Sequence, residues 1–263
     1  MGIVNVTPNS FSDGGRYFDL PAALAHGRTL VAEGAAILDV GGESSRPGSD
    51  PVDLAEELAR VIPLIATLHR EFPDLKISVD TYKAETARQA LRAGACIVND
   101  ISALRLDPGM AEVVAAHRAG LILMHMQGLP KTMQLAPRYG DVVGEVTSFL
   151  IERRDFAVHA GIRAEAIAVD PGFGFGKTME HNLTLLRSIK RLTTLGRPVV
   201  AGISKKSTLA RLLGNPALPM TERVWPSVAF TSYLREQGVN LFRVHDVRLN
   251  FEALRMTEAI MAP

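Results

Sequence analysis

Cysteine is nearly absent: the 263-residue chain carries one, Cys96. A disulfide framework is therefore excluded, and the apolar run ACIV around that residue points to buried packing, not a reactive thiol. A lone cysteine also suits a reducing compartment, so a cytoplasmic location is expected. Charge of one sign is equally scarce. The formal net charge is +1 and no basic run occurs, which argues against nucleic acid as a partner. Apolar residues never continue for the roughly 18 positions of a membrane-spanning helix. No charged leader precedes an apolar core, so neither a membrane nor a signal peptide is expected. There is no H-E-x-x-H and no paired C-x-x-C.

What is present is a soluble globular composition, 47% hydrophobic and 22% charged. A chain of this length buries most of its surface without a disulfide or metal staple. One rhythm runs from end to end: short β-rich runs alternate with longer amphipathic segments. The runs are 2–7, 36–41, 75–81, 96–102, 121–126, 166–172, 198–204 and 241–247. Helical patterns lie near 22–34, 53–71, 83–93, 109–118, 141–160, 181–194, 226–237 and 248–261. Asp53 and Asp141 are expected N-caps, and Gly34, Gly94 and Gly120 expected helix ends. Eight strand–helix pairs in about 250 residues predict a single (β/α)8 TIM barrel, residues 1–263 forming one domain. The rival, a doubly wound sheet, normally places G-x-G-x-x-G in its first turn. Here that turn reads VTPNSFSDGG.

Every predicted strand carries polar residues at or near its C-terminal end: Asn5, Asp39, Asp80, Asn99 with Asp100, His125, Asp170, Ser204, and Arg243 with His245. One or two such endings are ordinary turn chemistry. Eight predict a site, because in a barrel these ends meet on one rim. Arg243 and His245, two apart, face the same side of a strand. With Lys205, Lys206 and Arg46 they predict a cationic pocket, at loops that often hold phosphate in barrels. Asp80, Asn99 and Asp170 offer acceptors and an amide suited to the edge of a nitrogen-rich heterocycle.

Other motifs fail. GFGFGKT (172–178) is not a P-loop, because the required glycine position falls on Pro171. GISKKS (202–207) is not a nucleophile elbow, because Lys206 occupies the closing glycine position. His125, between two methionines, is expected to be a packed rim residue. His26, His69, His117, His159 and His181 are expected at the surface.

MGIVNVTPNSFSDGG (1–15), GGESSRPG (41–48), SVDT (78–81), VNDIS (98–102), LMHMQGLPKTMQ (123–134), DPGFGFGK (170–177), GISKKS and RVHDV (243–247) together resemble dihydropteroate synthase. The match runs in order along nearly the whole chain. The resemblance implies a transferase of folate biosynthesis that condenses 6-hydroxymethyl-7,8-dihydropterin diphosphate with 4-aminobenzoate. It implies a magnesium ion (Mg2+), reached by Asn5, and a homodimer formed through the outer helices of the last strands. Asp80, Asn99, Asp170 and Lys206 are then expected to hold the pterin, and Arg243 and His245 the diphosphate, with help from Ser45 and Arg46. Ser204, Lys206 and Phe175 are expected to line the aminobenzoate side. Loops carrying Phe11, Asp13, Ser45, Arg46 and Pro47 are expected to close over it, with Asp13 facing the developing cation.

Three departures from the family pattern stand out. Ser45 occupies a usual threonine position. Trp225 and Pro226 in TERVWPSVAF (221–230) replace the usual pattern, with proline at a glycine site, which is expected to reposition the helix start. The chain begins inside its first strand, which is expected to weaken the barrel floor. No insertion marks the loops at 7–20, 42–51 or 172–181, so an ordinary sulfonamide-sensitive enzyme is expected over a resistant one. Two rivals remain open: the pterin-binding domain of a corrinoid methyltransferase, which has no diphosphate to grip, and a non-catalytic paralogue.

Overall fold

The computed structural model describes residues 1–7 and 19–262. Its strands are β1 (Gly2–Asn5), β2 (Ile37–Gly41), β3 (Lys76–Asp80), β4 (Ile97–Asp100), β5 (Gly120–Met124), β6 (Ile167–Asp170), β7 (Val200–Ala201) and β8 (Leu241–Phe242). β1 to β6 pair in order, β7 pairs with β8, and all pairings are parallel. Two bridges close the ring. Val169 pairs with Val199, joining β6 to β7, and Gly2 pairs with Val244, joining β8 to β1. The second seam is held by Ile3 N–H to the Val244 carbonyl at 3.0 Å and Val244 N–H to the Met1 carbonyl at 2.9 Å. The predicted eight-stranded barrel is the observed one.

Alternation along each strand decides which residues meet inside. Leu38 and Val40, Ile77 and Val79, Val98, Leu121 and Leu123 join a core with helix residues such as Leu30, Leu64 and Leu68. Each such fully buried side chain stabilises the fold by about 1.5–3 kcal/mol. The opposite rows face the axis. Ile122, Ala168 and Val200, packed with Ile97, Leu241 and Met1, fill the lower barrel. Two residues further along those rows stand Asn99, Met124, Asp170, Gly202 and Arg243. The same parity places Asn5, Asp39 and Asp80 inward. Asn5, Asp80, Asn99, Asp170 and Arg243 therefore share one chamber because they share one parity, whereas Asp100 and His125, one position off, do not line it.

The helices are α1 (Leu20–Ala32), α2 (Leu54–Glu71), α3 (Ala84–Arg92), α4 (Met110–Ala116), α5 (Val142–His159), α6 (Met179–Arg187), α7 (Ile189–Thr193), α8 (Ser207–Leu212), α9 (Val224–Glu236) and α10 (Val247–Met261). Asp53 and Asp141 cap α2 and α5, accepting from Glu56 N–H at 2.9 Å and Val143 N–H at 3.2 Å. Gly34 and Gly94 end α1 and α3 in the left-handed region, with φ of 98° and 114°. At Gly94 a Cβ would stand 2.3 Å from His69 Cγ, so only glycine fits. Gly120 is a correction: it opens β5, and Arg118, with φ of 52°, makes the left-handed turn after α4. The segment at 181–194 is two helices broken at Ser188, and α8 follows β7 without a sequence expectation. Cys96 is half-buried, less enclosed than its apolar run implies.

Candidate active site

A cavity of about 870 Å³ opens at the C-terminal ends of the strands. Its walls include Asn5, Asp80, Asn99 and Asp170 from β1, β3, β4 and β6. Ser45, Arg46 and Pro47 come from the loop after β2, and Phe175 from the loop after β6. Ser204 and Lys206 follow β7, and Arg243 and His245 follow β8. Asp13 and Phe11 lie outside the described residues; every other predicted site residue lines this one cavity.

Arg243 ties its floor together. Its Nε donates to Asp39 Oδ2 at 2.5 Å and its Nη2 to Asp80 Oδ2 at 2.7 Å. Asn99 Nδ2 donates to the same Asp39 oxygen at 3.2 Å. Burial alone would lower the Arg243 pKa, but the Asp39 and Asp80 carboxylates outweigh it and hold the guanidinium charged. Burial raises the Asp80 pKa in spite of Arg243. Asp170, also buried, accepts from Gly172 N–H at 2.7 Å. Burial raises its pKa, with Lys206 opposing. Lys206 is pushed down to about 8 by burial, partly offset by Asp170. Its Nζ donates to the Phe173 carbonyl and stands 4.6 Å from the Phe175 ring centroid.

His245 departs from the expected cationic pocket. Burial first, then the neighbouring Arg243 and Lys205, push its pKa down to about 3, so near neutral pH it is an uncharged imidazole. Its Nδ1 lies 3.1 Å from Ser204 Oγ. Lys205 is likewise partly spent, paired with Asp246 at 2.9 Å. The rim also does not divide cleanly into an anion half and a ring half, because Arg243 is bonded to carboxylates on both β2 and β3.

Asn5 Oδ1 and Asp80 Oδ2 both approach Gly41, at 3.5 and 3.7 Å from where a Cβ would stand. These are hard oxygen donors. A magnesium ion usually takes one or two protein oxygens and completes its shell with phosphate oxygens and water. Among the described residues no group of three or more His, Cys, Asp or Glu is placed to hold a metal. Asp80 Oδ2 already accepts from Arg243, so Asn5 Oδ1 is the oxygen left here to such an ion, which would need ligand or water oxygens to complete its shell.

A family model described as "Pterin binding enzyme" matches residues 1–245. A dihydropteroate synthase of Synechocystis is 46% identical over 260 residues, 99% of this chain and 89% of its own. The chain belongs to the dihydropteroate synthase family. Two solved structures of the family superpose over nearly the whole chain. The Xanthomonas albilineans dihydropteroate synthase with 4-aminobenzoic acid has a TM-score of 0.93 at 47% identity, covering 100% of this chain and 93% of that one. The Yersinia pestis dihydropteroate synthase with a sulfonamide drug complex has 0.92 at 42%, covering 99% and 93%.

For a dihydropteroate synthase, two residues here escaped the sequence reading. Asp39 was seen as a strand ending, but its hold on Arg243 spans 204 positions and has no local signal. Lys177, in DPGFGFGK, is buried, and its Nζ bonds His125 Nδ1 at 2.9 Å and the Gly172 and Phe175 carbonyls at 3.0 and 3.1 Å. It fastens the loop after β6 beneath Phe175. His125 is the packed rim residue expected, edge-on to Phe149 at 4.8 Å. The Trp225–Pro226 departure is accommodated locally. Pro226 is the third residue of α9, within a first turn whose N–H groups have no helical partner. Trp225 is 69% exposed, and Met220 and Arg223 line the cavity beside it.

Proposed function

We propose that the protein condenses 6-hydroxymethyl-7,8-dihydropterin diphosphate with 4-aminobenzoate, forming 7,8-dihydropteroate and releasing diphosphate. It is thus a dihydropteroate synthase of folate biosynthesis. The observation that carries this reading is the single cavity that gathers Asp170, Asn99, Asp80, Lys206, Arg243 and His245, in a chain 46% identical to a named synthase. The rival methyl-transfer and scaffold readings lose ground, since the relatives described are synthases.

In this reading Asp170, as a carboxylate, accepts two N–H donors from the amidine-like edge of the pterin, a charge-assisted pair. Asn99, Asp80 and Lys206 complete the ring's hydrogen bonds. Arg243 offers the anion a fixed positive charge, and His245 an N–H. The C–O bond between the exocyclic methylene and the diphosphate breaks, and its electron pair leaves with the diphosphate. The methylene gains positive character, shared by the electron-rich pterin, and Asp13 would face it. The arylamine nitrogen, held against Phe175, Ser204 and Lys206 and covered by Ser45, Arg46 and Pro47, forms the C–N bond and then loses a proton. Catalysis is mainly positioning and electrostatic preorganisation. Asn5, with Asp80 beside it, would hold a magnesium ion, which when bound neutralises diphosphate charge.

Residues 1–263 act in this reading as one domain, in the cytoplasm, as a homodimer through the outer helices. Exposed Met256 (64%) and Ile260 (76%) on α10 support that surface, and a monomer in solution at working concentration would refute it. The function itself is tested by diphosphate release in the presence of both substrates. No release with either substrate order would refute it.

A further inference from the structure

The second rim loop is clamped at its base and loosely tied at its tip. Glu43 stands where the loop leaves β2. Its Oε1 accepts from Tyr82 Oη at 2.6 Å, and its Oε2 from Lys83 Nζ at 2.7 Å and Val52 N–H at 3.0 Å. Lys83 also donates to the Val52 carbonyl at 2.7 Å and to Glu57 at 2.5 Å. The loop's two ends, Glu43 and Val52, are thus fastened to each other and to the loop after β3. The Glu57 side chain is 1% exposed, Glu43 11% and Lys83 19%, so these are shielded charges whose interactions are screened little. Burial alone would lower the Lys83 pKa, but the two carboxylates outweigh it and keep the ammonium charged.

The tip is held differently. Gly48 N–H reaches the Pro130 carbonyl at 3.2 Å. Asp50 pairs with Lys131 at 2.6 Å with side chains 77% and 64% exposed, and such exposed pairs contribute little. Between base and tip lie Ser45, Arg46 and Pro47, on the cavity's outer wall. Asp170 and Asn99 are buried at its floor. Asp170 and Asn99 come from β6 and β4, apart from this clamp, so a change at the base bears first on the outer wall; of the inner residues only Asp80, two before Tyr82, adjoins it.

We propose that Glu43, held by Tyr82 and Lys83, is the fixed hinge of this loop, a positioning residue that sets affinity for the outer substrate and not for the pterin. This rests on the reading above, in which the outer part of the cavity takes 4-aminobenzoate. Glu43 lines the cavity beside Ser45, Arg46 and Pro47, whereas Tyr82 and Lys83 do not; the two act through Glu43 by keeping that wall within reach of the outer substrate.

The test uses the full chain and the variants Tyr82→Phe, Glu43→Gln and Lys83→Met. Steady-state kinetics are measured for both substrates, pterin affinity by calorimetry with the pterin alcohol alone, and amide exchange over residues 44–51. KM for 4-aminobenzoate should rise about tenfold in Lys83→Met, which removes two ion pairs, and about two- to threefold in Tyr82→Phe, which removes a single hydrogen bond to a carboxylate. Pterin affinity should hold within about twofold, near the scale of a minor free-energy change, and exchange over 44–51 should quicken while α2 and α3 stay protected. If Lys83→Met does not fold, Tyr82→Phe decides the matter, since it removes one oxygen and leaves both ion pairs. A wild-type protein that releases no diphosphate overturns the function and this hinge with it. An active wild type whose folded variants keep their KM, or lose pterin affinity to the same degree, overturns the hinge alone.

Discussion

Arg243 Nε lies 2.5 Å from Asp39 Oδ2, a carboxylate with no solvent exposure. The guanidinium in the cavity is thereby held by one carboxylate through Nε, and its Nη2 is held by Asp80. A fixed charge of this kind needs no reorganisation when a ligand arrives. Removing it has two expected results. Arg243→Ala should weaken pterin diphosphate far more than the pterin alcohol, since only the former carries the anion. It should also cost about 3–5 kcal/mol of stability, because Asp39 is left buried and unpaired. Binding isotherms for both ligands and a denaturant titration check this. Equal losses for the two ligands would make Arg243 a structural residue only.

Asp170→Asn keeps the shape of the proposed pterin pocket but removes the charge and one acceptor. The expected loss is about 2–3 kcal/mol of pterin binding, the worth of a charge-assisted pair. Calorimetry with the pterin alcohol measures it. Affinity unchanged within error would remove Asp170 from the pterin site.

His245 predicts a pH dependence. Its pKa in the free protein is about 3, so at pH 7 it carries no proton to donate as a cation. A bound diphosphate favours the charged form and raises that pKa. Binding then takes up protons, and affinity rises as pH falls through the raised value. Calorimetry of diphosphate binding in two buffers of different ionisation enthalpy gives the proton count. His245→Asn should reduce the uptake, and an uptake identical in wild type and variant would place the titration on the ligand or on another group.

Sulfonamide response tests the reading of the departures. Ser45 keeps the hydroxyl of the usual threonine, and Trp225 points to solvent, so the ratio of sulfonamide Ki to aminobenzoate KM should be that of an ordinary, sensitive enzyme. A rise of about a hundredfold, near 2.7 kcal/mol of discrimination, would contradict this. Ser45→Thr and Pro226→Gly made separately would then show which position carries it.

The barrel was legible because its signals are local and repeated. Alternation gives the parity of Asn99, Asp170 and Arg243, and Asp53 and Asp141 announce their helices with one side chain each. The ends of the rows were legible as a rim for the same reason. What escaped depends on contacts distant in sequence. The neutral state of His245 follows from burial that no motif displays. Lys177 finds its carbonyls through a turn of left-handed glycines and across 52 positions to His125. The left-handed turn falls on Arg118, a residue type rare in that region, so Gly120 two residues on was the more natural expectation.

The seam between Gly2 and Val244 bears on how the molecule comes to exist. It joins the first strand to the segment after the last, and contacts of such long separation carry the full entropic cost of closing the ring before they return anything. Arg243 meets Asp39 and Asp80 across the same divide. A chain whose first and last strands have not yet met can hold most of its helices and six of its strands, yet Arg243 has not joined Asp39 and Asp80. During refolding, the recovery of diphosphate affinity should therefore keep time with the pairing of the first and last strands, not with the earlier return of helical signal.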